Sequence, residues 1–255
     1  MKICHFEYKK QRMFGVIKED LVFPFDSLQN LFELNENIKL NDGVTQQHLK
    51  FLPPVSPSKI VCVGRNYSDH AKELGNEVPR EPLLFLKAPS SVILSDERII
   101  IPSQSSQVEH EGELGVVIKK TCKNLSETDN ALDYIFGYLC LNDVTARDLQ
   151  RKDIQFTRAK SFDTFCPIST FIETDLDASD IRIVTRVNGE IKQNGRTSQM
   201  VFSVPFLIRY ISNQMTLKAG DIIATGTPAG VSNLKNGDVC EVEIEGIGIL
   251  RSPVV

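Results

Sequence analysis

Apolar positions in this chain come in short runs separated by Gly, Pro, Asn and Asp, the spacing of a strand-rich protein. Lys2–Tyr8 alternates polar and apolar residues, Lys9–Arg12 is a polar turn, and Met13–Ile17 and Leu21–Phe25 resume the pattern, predicting a short β-meander. Ser27–Leu34 has a helix-start residue followed by apolar helical spacing. Pro53, Pro54 and Pro57 then punctuate the chain, placing a boundary near residue 55 between a small N-terminal domain (1–55) and a larger one (56–255). Beyond it, Lys59–Val63 reads as a strand. A helix starts at Ser68 or Asp69 and stops at Gly75. Strand signals follow at Leu83–Lys87, Arg98–Ile101, Leu114–Ile118, Ile135–Leu141, Ile168–Phe171 and Ile181–Val187. Asn188-Gly189 marks a hairpin, because both residues accept positive φ. Helices are expected over Thr145–Asp153 and from Ser203-Val204-Pro205 to about Asn213. Ile222–Thr225 is a further strand, and Val239–Ile244 with Ile247–Ser252 makes a last hairpin around Glu245-Gly246. Many strands and few helices predict an α+β fold, a β-rich mixed roll with a small β-containing N-terminal domain rather than a doubly wound sheet.

Composition narrows the function classes. A formal net charge of −4, a pI near 5.7 and no basic run speak against a nucleic-acid or membrane-surface partner. No apolar stretch reaches the length of a membrane span, and Met1–Glu7 lacks the apolar core of a secretion signal. Cys4, Cys62, Cys122, Cys140, Cys166 and Cys240 form no C-x-x-C pair and sit mostly in apolar runs. Buried free thiols in a reducing compartment follow, and with them a cytoplasmic location.

The chemistry concentrates around His110-Glu111-Gly112-Glu113-Leu114-Gly115-Val116-Val117-Ile118. In an extended segment Glu111 and Glu113 share a face, with Glu109 beside them. Such a pair is more often an outward polar face than a site. Here, however, the following run is apolar enough to be buried, and a third acid, Asp143, ends another apolar run, Gly137–Asn142. Three carboxylates at strand ends suit a hard divalent cation such as Mg²⁺. His70 and Glu73, three apart on a predicted helix, have the make-up of a carboxylate-oriented general base. Arg65, Lys87, Arg147 and Lys160 add cations, each of which alone reads as a solvated side chain. Together with the acids they imply an anionic, oxygen-rich ligand bridging metal and protein. Thr225-Gly226-Thr227-Pro228-Ala229-Gly230 is a tight turn whose N–H groups suit a carboxylate, although alone it reads as a β-turn. It lacks the Lys of a phosphate loop, no G-x-S-x-G is present, and His and Cys show no zinc spacing.

Five segments in order resemble the fumarylacetoacetate hydrolase family: Val63–His70, His110–Leu114, Asn142–Gln150, Lys160–Asp163 and Thr225–Pro228. Val187–Glu190 and Gln199–Ser203 are also similar to the family, and residues 1 to about 55 look like the small N-terminal domain of many bacterial members. The resemblance implies a β-rich roll, usually a homodimer, with Mg²⁺ or Mn²⁺ on Glu111, Glu113 and Asp143. It implies an enzyme of small 2-oxo acids or 1,3-dicarbonyls: an acylpyruvate hydrolase, or an oxaloacetate decarboxylase or tautomerase. An isomerase/decarboxylase of unsaturated diacids from aromatic breakdown, and a non-catalytic ligand-binding protein of the same fold, are the alternatives. By the same carry-over His70 and Glu73 form a dyad on a mobile lid, Lys160 holds the substrate anion, and Arg147, Gln150 and Thr227 contact substrate. Arg65 and Lys87 would lie near the mouth. The additional early Asp ligand of fumarylacetoacetases proper has no counterpart, which favours the acylpyruvase-like group.

Overall fold

The apolar runs become strands buried on both faces. The computed structural model describes residues 1–26, 30–35 and 37–255. Its strands are β1 (Lys2–Tyr8), β2 (Gln11–Lys18), β3 (Leu21–Pro24), β4 (Val44–Thr45), β5 (Lys50–Leu52), β6 (Ile60–Gly64), β7 (Leu83–Lys87), β8 (Val92–Leu94), β9 (Val108–Glu109) and β10 (Gly112–Ile118). They continue with β11 (Ile135–Asn142), β12 (Thr145–Ala146), β13 (Cys166–Ile168), β14 (Phe171–Glu173), β15 (Arg182–Val187), β16 (Glu190–Arg196), β17 (Ile222–Ala224), β18 (Val239–Ile244) and β19 (Gly248–Pro253). Four α-helices are present among the described residues: α1 (Ser68–Glu73), α2 (Arg147–Lys152), α3 (Thr157–Lys160) and α4 (Val204–Gln214). No helix is long and apolar enough to cross a membrane.

One mixed sheet of 13 strands runs β4-β3-β2-β1-β14-β11-β10-β17-β6-β7, with β5, β8 and β13 attached beside this path. A four-stranded sheet, β16-β15-β18-β19, packs across it, and β9 pairs with β12 in a separate two-stranded sheet. Alternation splits the central strands between two cores. Leu114, Val116 and Ile118 of β10 pack against Ile183, Val242 and Ile244 of the small sheet and Leu207, Ile208 and Ile211 of α4. Val117 of β10 and Leu139 and Leu141 of β11 pack instead with Ile222, Ala224 and the N-terminal Ile3, Val16 and Phe25. Strands covered on both sides need apolar residues at every position, which is why they read as unbroken runs. The fold is the β-rich mixed roll expected from the pattern.

The N-terminal strands continue the central sheet. Lys2, Ile3 and Cys4 pair antiparallel with Glu173, Ile172 and Phe171, and the terminal ammonium lies 2.5 Å from a Glu173 carboxylate oxygen.

Several local expectations change. Arg98–Ile101 is not a strand; only Ile99 pairs, in one parallel bridge to Val254. Ile168–Phe171 is not one strand: Ser169 and Thr170 break it between the end of β13 and the start of β14, and Val92–Leu94, unread in the sequence, supplies a parallel partner for β13. Thr145 and Ala146 belong to β12, so the helix starts at Arg147. Of the helix expected over Ser27–Leu34, Ser27, Leu28 and Gln29 lie outside the described residues, and Leu31–Glu33 is a 3-10 turn capped by Asn30. The β15–β16 hairpin turns on Asn188 and Gly189, both at positive φ (54° and 80°). Helix α4 buries Val204, Leu207, Ile208 and Ile211, one stripe of helical spacing, with Pro205 in its first turn.

Candidate active site

Two strand pairings assemble the acids. In the β10–β11 ladder Gly112 faces Asn142 and Glu113 faces Leu141. In the β9–β12 pair Glu109 faces Thr145. The intervening Glu111 and Asp143 are therefore brought together, with the Asp143 amide donating to the Glu111 carbonyl at 2.8 Å and the Glu111 amide to Asn142 Oδ1 at 3.0 Å. Glu111, Glu113 and Asp143, all buried, offer oxygens within 4.8 Å of one another. Gly112 between the glutamates has no room for a side chain: a Cβ there would stand 2.1 Å from Thr185 Oγ1 on the crossing sheet.

Each acid is held by a donor. Lys87 Nζ donates to Asp143 Oδ1 at 2.6 Å and to the Val144 carbonyl at 3.0 Å. Arg147 donates from Nη2 to Glu111 Oε1, from Nε to Glu109 Oε2 at 2.8 Å and from Nη1 to Gln150 Oε1 at 2.6 Å. The Gly226 amide donates to Glu113 Oε2 at 2.8 Å. Lys160 Nζ bridges Glu111 Oε2 and Asp143 Oδ2, 2.7 Å from each, and lies over the Phe85 ring. Burial alone would raise the Glu111 carboxyl, but Lys160 and Arg147 outweigh it and hold the group well below the usual carboxylate range. Glu113 moves the other way: burial, then the charges of Asp143 and Glu111, push it well above that range. Among the described residues no hydrogen bond reaches its Oε1. The buried cluster sets four acids, Glu109, Glu111, Glu113 and Asp143, among three cations, Lys87, Arg147 and Lys160. An all-oxygen donor set and an acid destabilised by its like-charged neighbours fit a hard divalent cation.

Helix α1 stands opposite. His70 Nδ1 lies 3.2 Å from Glu73 Oε2. A carboxylate only accepts, so Nδ1 carries the proton and Nε2 is left as the basic nitrogen. Glu73 is fixed in turn by the Gly230 amide, 3.0 and 3.1 Å from its two oxygens. The turn before α1 is fixed by buried Asn66, whose amide donates to the Thr225 and Phe202 carbonyls and whose Oδ1 accepts from the Phe202 amide.

A cavity of about 450 Å³ separates the two groups. His70, Glu73, Glu111, Glu113, Asp143, Arg147, Gln150, Lys160, Thr227 and Arg65 all line it. Lys87 does not: it is fully buried behind Asp143 instead of standing near the mouth, because its ammonium finds two oxygen acceptors there. Arg147, expected as a substrate contact, has three nitrogens committed to Glu109, Glu111 and Gln150. The Thr227 hydroxyl donates to the Gly112 carbonyl and accepts from Gln193. Leu83, Phe85 and Phe156 form an apolar wall, and Arg151 adds a fourth cation beside Arg65, Arg147 and Lys160. Arg151, Glu109, Gln193 and His110 were not singled out as site residues. Gln193, on β16, ties Gly112, His110, Thr227 and the Pro228 carbonyl together. Gln193 Oε1 accepts from His110 Nδ1, and burial lowers the pKa of the ring to about 4. Nothing local in the sequence marks Gln193, since its partners come from distant strands.

Comparison with known proteins adds to this geometry. The family described as fumarylacetoacetate (FAA) hydrolase C-terminal matches residues 59–255. The chain belongs to the fumarylacetoacetate hydrolase family. Members of this family are enzymes. The mitochondrial oxaloacetate decarboxylase of Dictyostelium discoideum is 49% identical over 196 residues, 74% of this chain and 89% of its own. The crystal structure of 2-hydroxyhepta-2,4-diene-1,7-dioate isomerase from Mycobacterium marinum superposes with a TM-score of 0.90 at 37% identity, covering 100% of this chain and 98% of that one. Fumarylpyruvate hydrolase from Pseudomonas aeruginosa, solved with Mn²⁺ and pyruvate, superposes at 0.74 with 30% identity, over 81% of this chain and 91% of that one. The family carries hydrolase, decarboxylase and isomerase members on one scaffold.

Proposed function

We propose that the chain is a Mg²⁺- or Mn²⁺-dependent enzyme of small 2-oxo acids, decarboxylating or tautomerising oxaloacetate. The carrying observation is the buried Glu111/Glu113/Asp143 group facing the His70–Glu73 pair across one cavity lined by Lys160, Arg65 and Arg151. A 49% identical oxaloacetate decarboxylase and a Mn²⁺- and pyruvate-bound neighbour support the substrate class and the cation. A non-catalytic binding protein would need no histidine–carboxylate dyad.

A divalent cation on Glu111, Glu113 and Asp143 would polarise the keto oxygen of a 2-oxo acid. Lys160 holds the substrate carboxylate beside the acids, and Arg65 and Arg151 face its distal carboxylate. In tautomerisation His70 Nε2 takes a proton from the carbon next to the keto group and returns it to the oxygen. In decarboxylation the carbon–carbon bond to the distal carboxylate breaks, CO₂ leaves, and its bonding pair stays on the enolate. His70, having taken a proton from solvent at Nε2, then supplies it to that carbon. In acylpyruvate hydrolysis the same nitrogen takes a proton from the water attacking the distal carbonyl; the carbon–carbon bond beside that carbonyl then breaks, releasing the carboxylic acid, and the pyruvate enolate takes the proton back from His70. Gln150 and Thr227 complete the substrate contacts, Gln150 through its amide nitrogen, since its Oε1 is engaged with Arg147. The second reading, an isomerase of longer unsaturated diacids, is favoured by the TM-score of 0.90 to such an enzyme and by the apolar wall of Leu83, Phe85 and Phe156. Six buried free cysteines suit a reducing cytoplasm. A homodimer is the assembly we propose, with residues 1–55 as an accessory unit.

The test is turnover of oxaloacetate and acetylpyruvate with Mg²⁺, against a Glu111→Ala/Glu113→Ala variant. Loss of oxaloacetate that is absent in the variant supports the reading. Consumption of neither substrate by protein that binds the cation moves the assignment to the longer diacids.

A further inference from the structure

We propose that Gln193 is a positioning residue for the His70–Glu73 dyad: together with His110, it fixes the segment whose Gly230 amide holds Glu73. This rests on the functional reading above. Gln193 is fully buried and is not among the residues lining the cavity, so it acts through others. A carboxamide has two donor and two acceptor positions, and here all are filled. Oε1 accepts from the Gly112 amide at 3.0 Å and from His110 Nδ1 at 3.1 Å. Nε2 donates to Thr227 Oγ1 at 2.6 Å and to the Pro228 carbonyl at 2.7 Å. A buried polar group is costly unless paired, and a fully paired network holds its members in one arrangement.

The two halves of the Thr225–Gly230 turn are held differently. The first half is tied to β10 directly: the Thr225 hydroxyl to the Leu114 carbonyl, the Gly226 amide to Glu113 and the Thr227 hydroxyl to the Gly112 carbonyl. Among the described residues these ties stop at Thr227. The next hold on the chain is the Pro228 carbonyl, which accepts from Gln193. After it comes Ser232, whose carbonyl accepts from the His110 amide and whose hydroxyl lies 2.9 Å from His110 Nε2. Gly230 stands midway between these anchors, and its amide reaches Glu73. Gln193 and His110 bond each other, so the two anchors form one buried unit. Strand β16 also supplies the bed of the turn. A side chain at Gly230 would run into the Lys192 carbonyl, and a Cβ at Gly195 would stand 2.6 Å from Pro228 Cβ. The line from Gln193 through Pro228 and Gly230 to Glu73 and His70 is therefore continuous. Its last link keeps the proton on His70 Nδ1 and leaves Nε2 basic.

The experiment is nitrogen NMR of the full chain labelled at histidine, without substrate, followed by turnover of oxaloacetate and acetylpyruvate with Mg²⁺. Gln193→Met keeps the shape and removes every bond of the carboxamide. Gly195→Ala leaves the carboxamide in place and presses on Pro228, so it tests the same line where Gln193→Met does not fold. His70→Ala assigns the His70 signals. In the wild type His70 is expected as the tautomer protonated at Nδ1; in the folded variant its signals should move toward a mixture of tautomers. A misplacement of about 1 Å at a reacting group costs on the order of 10²-fold in rate. The variant's kcat should fall toward that figure. It should fall no further when the same substitution is added to His70→Ala, because residues that act as one unit are not additive. A purely structural role would leave the tautomer in place and multiply the two losses; either result overturns the inference and leaves the functional reading standing. Absence of turnover in the wild type overturns that reading, and the His70 tautomer then still decides whether Gln193 positions the dyad.

Discussion

Among the described residues His70 is tied at one ring nitrogen, and the tie runs from Glu73 to the Gly230 amide. Its other nitrogen carries the proposed proton transfers. His70→Ala should therefore lower turnover by about 10²–10⁴-fold, the usual weight of a general base, while calorimetric cation binding stays as in the wild type. Full activity in that variant would remove the role. Asp221 does purely structural work at the same scale. Its buried carboxylate accepts from the Ser58 amide and hydroxyl, the Lys59 amide and ammonium, and the Lys218 amide. Burial opposes ionisation, but these donors win and hold the carboxyl below its usual range. A lowered folded pKa means that stability is fully present above the ordinary value near 4 and is lost as pH falls through the lowered one. Asp221→Ala should cost about 2–3 kcal/mol at neutral pH and flatten that part of the acid-unfolding curve, measured by denaturant titration at stepped pH. Residue identities were the most legible part of the sequence: Glu111, Glu113, Asp143, His70 and Glu73 all reach one cavity. Lys87 was misplaced because a lysine's burial depends on acceptors supplied by a distant strand, Asp143 and Val144 here.

Elements carry the next set of consequences. The turn from Thr225 to Gly230 reaches both sides of the site, through the Gly226 amide to Glu113 and the Gly230 amide to Glu73. Gly226→Ala forces a side chain onto Asn66 and the Val63 carbonyl and a non-glycine residue to φ +98°. It should destabilise the chain by about 1–2 kcal/mol and weaken Mg²⁺ binding together, read by thermal melts with and without Mg²⁺. Unchanged melts under both conditions would show the turn to be incidental. Element prediction succeeded where periodicity is local, as in α4 and the Asn188-Gly189 hairpin. It failed where pairing decides. The apolar run around Ile99 meets the chain end in a single isolated bridge, Ile99 to Val254, too short a pairing for a strand, while Val92–Leu94 becomes a strand because Cys166–Ile168 lies alongside. Thr145 and Ala146 are helix-compatible residues recruited by Val108 and Glu109 instead.

At the scale of the whole molecule, residues 1–55 complete a sheet and a core that the rest of the chain begins. Ile3, Val16, Phe25, Leu31 and Val55 pack with Leu139, Leu141 and Ile222, and β1 satisfies the edge of β14. A chain starting at residue 56 would expose that edge and that apolar face, so it should aggregate or unfold. A monodisperse truncated chain with native circular dichroism would contradict this.

The grouping of the buried acids also bears on an order of events. A divalent cation held by them, as proposed, would add positive charge beside Lys160, so an incoming anion would be held more tightly with the cation than without it. Cation and substrate must then favour each other reciprocally, each tightening the other by the same factor at equilibrium. Oxalate, a non-reacting 2-oxo acid mimic, should therefore raise the Mg²⁺ affinity measured by titration. It should bind poorly to chelator-treated protein, so that an activator ion and a competitive inhibitor act as partners.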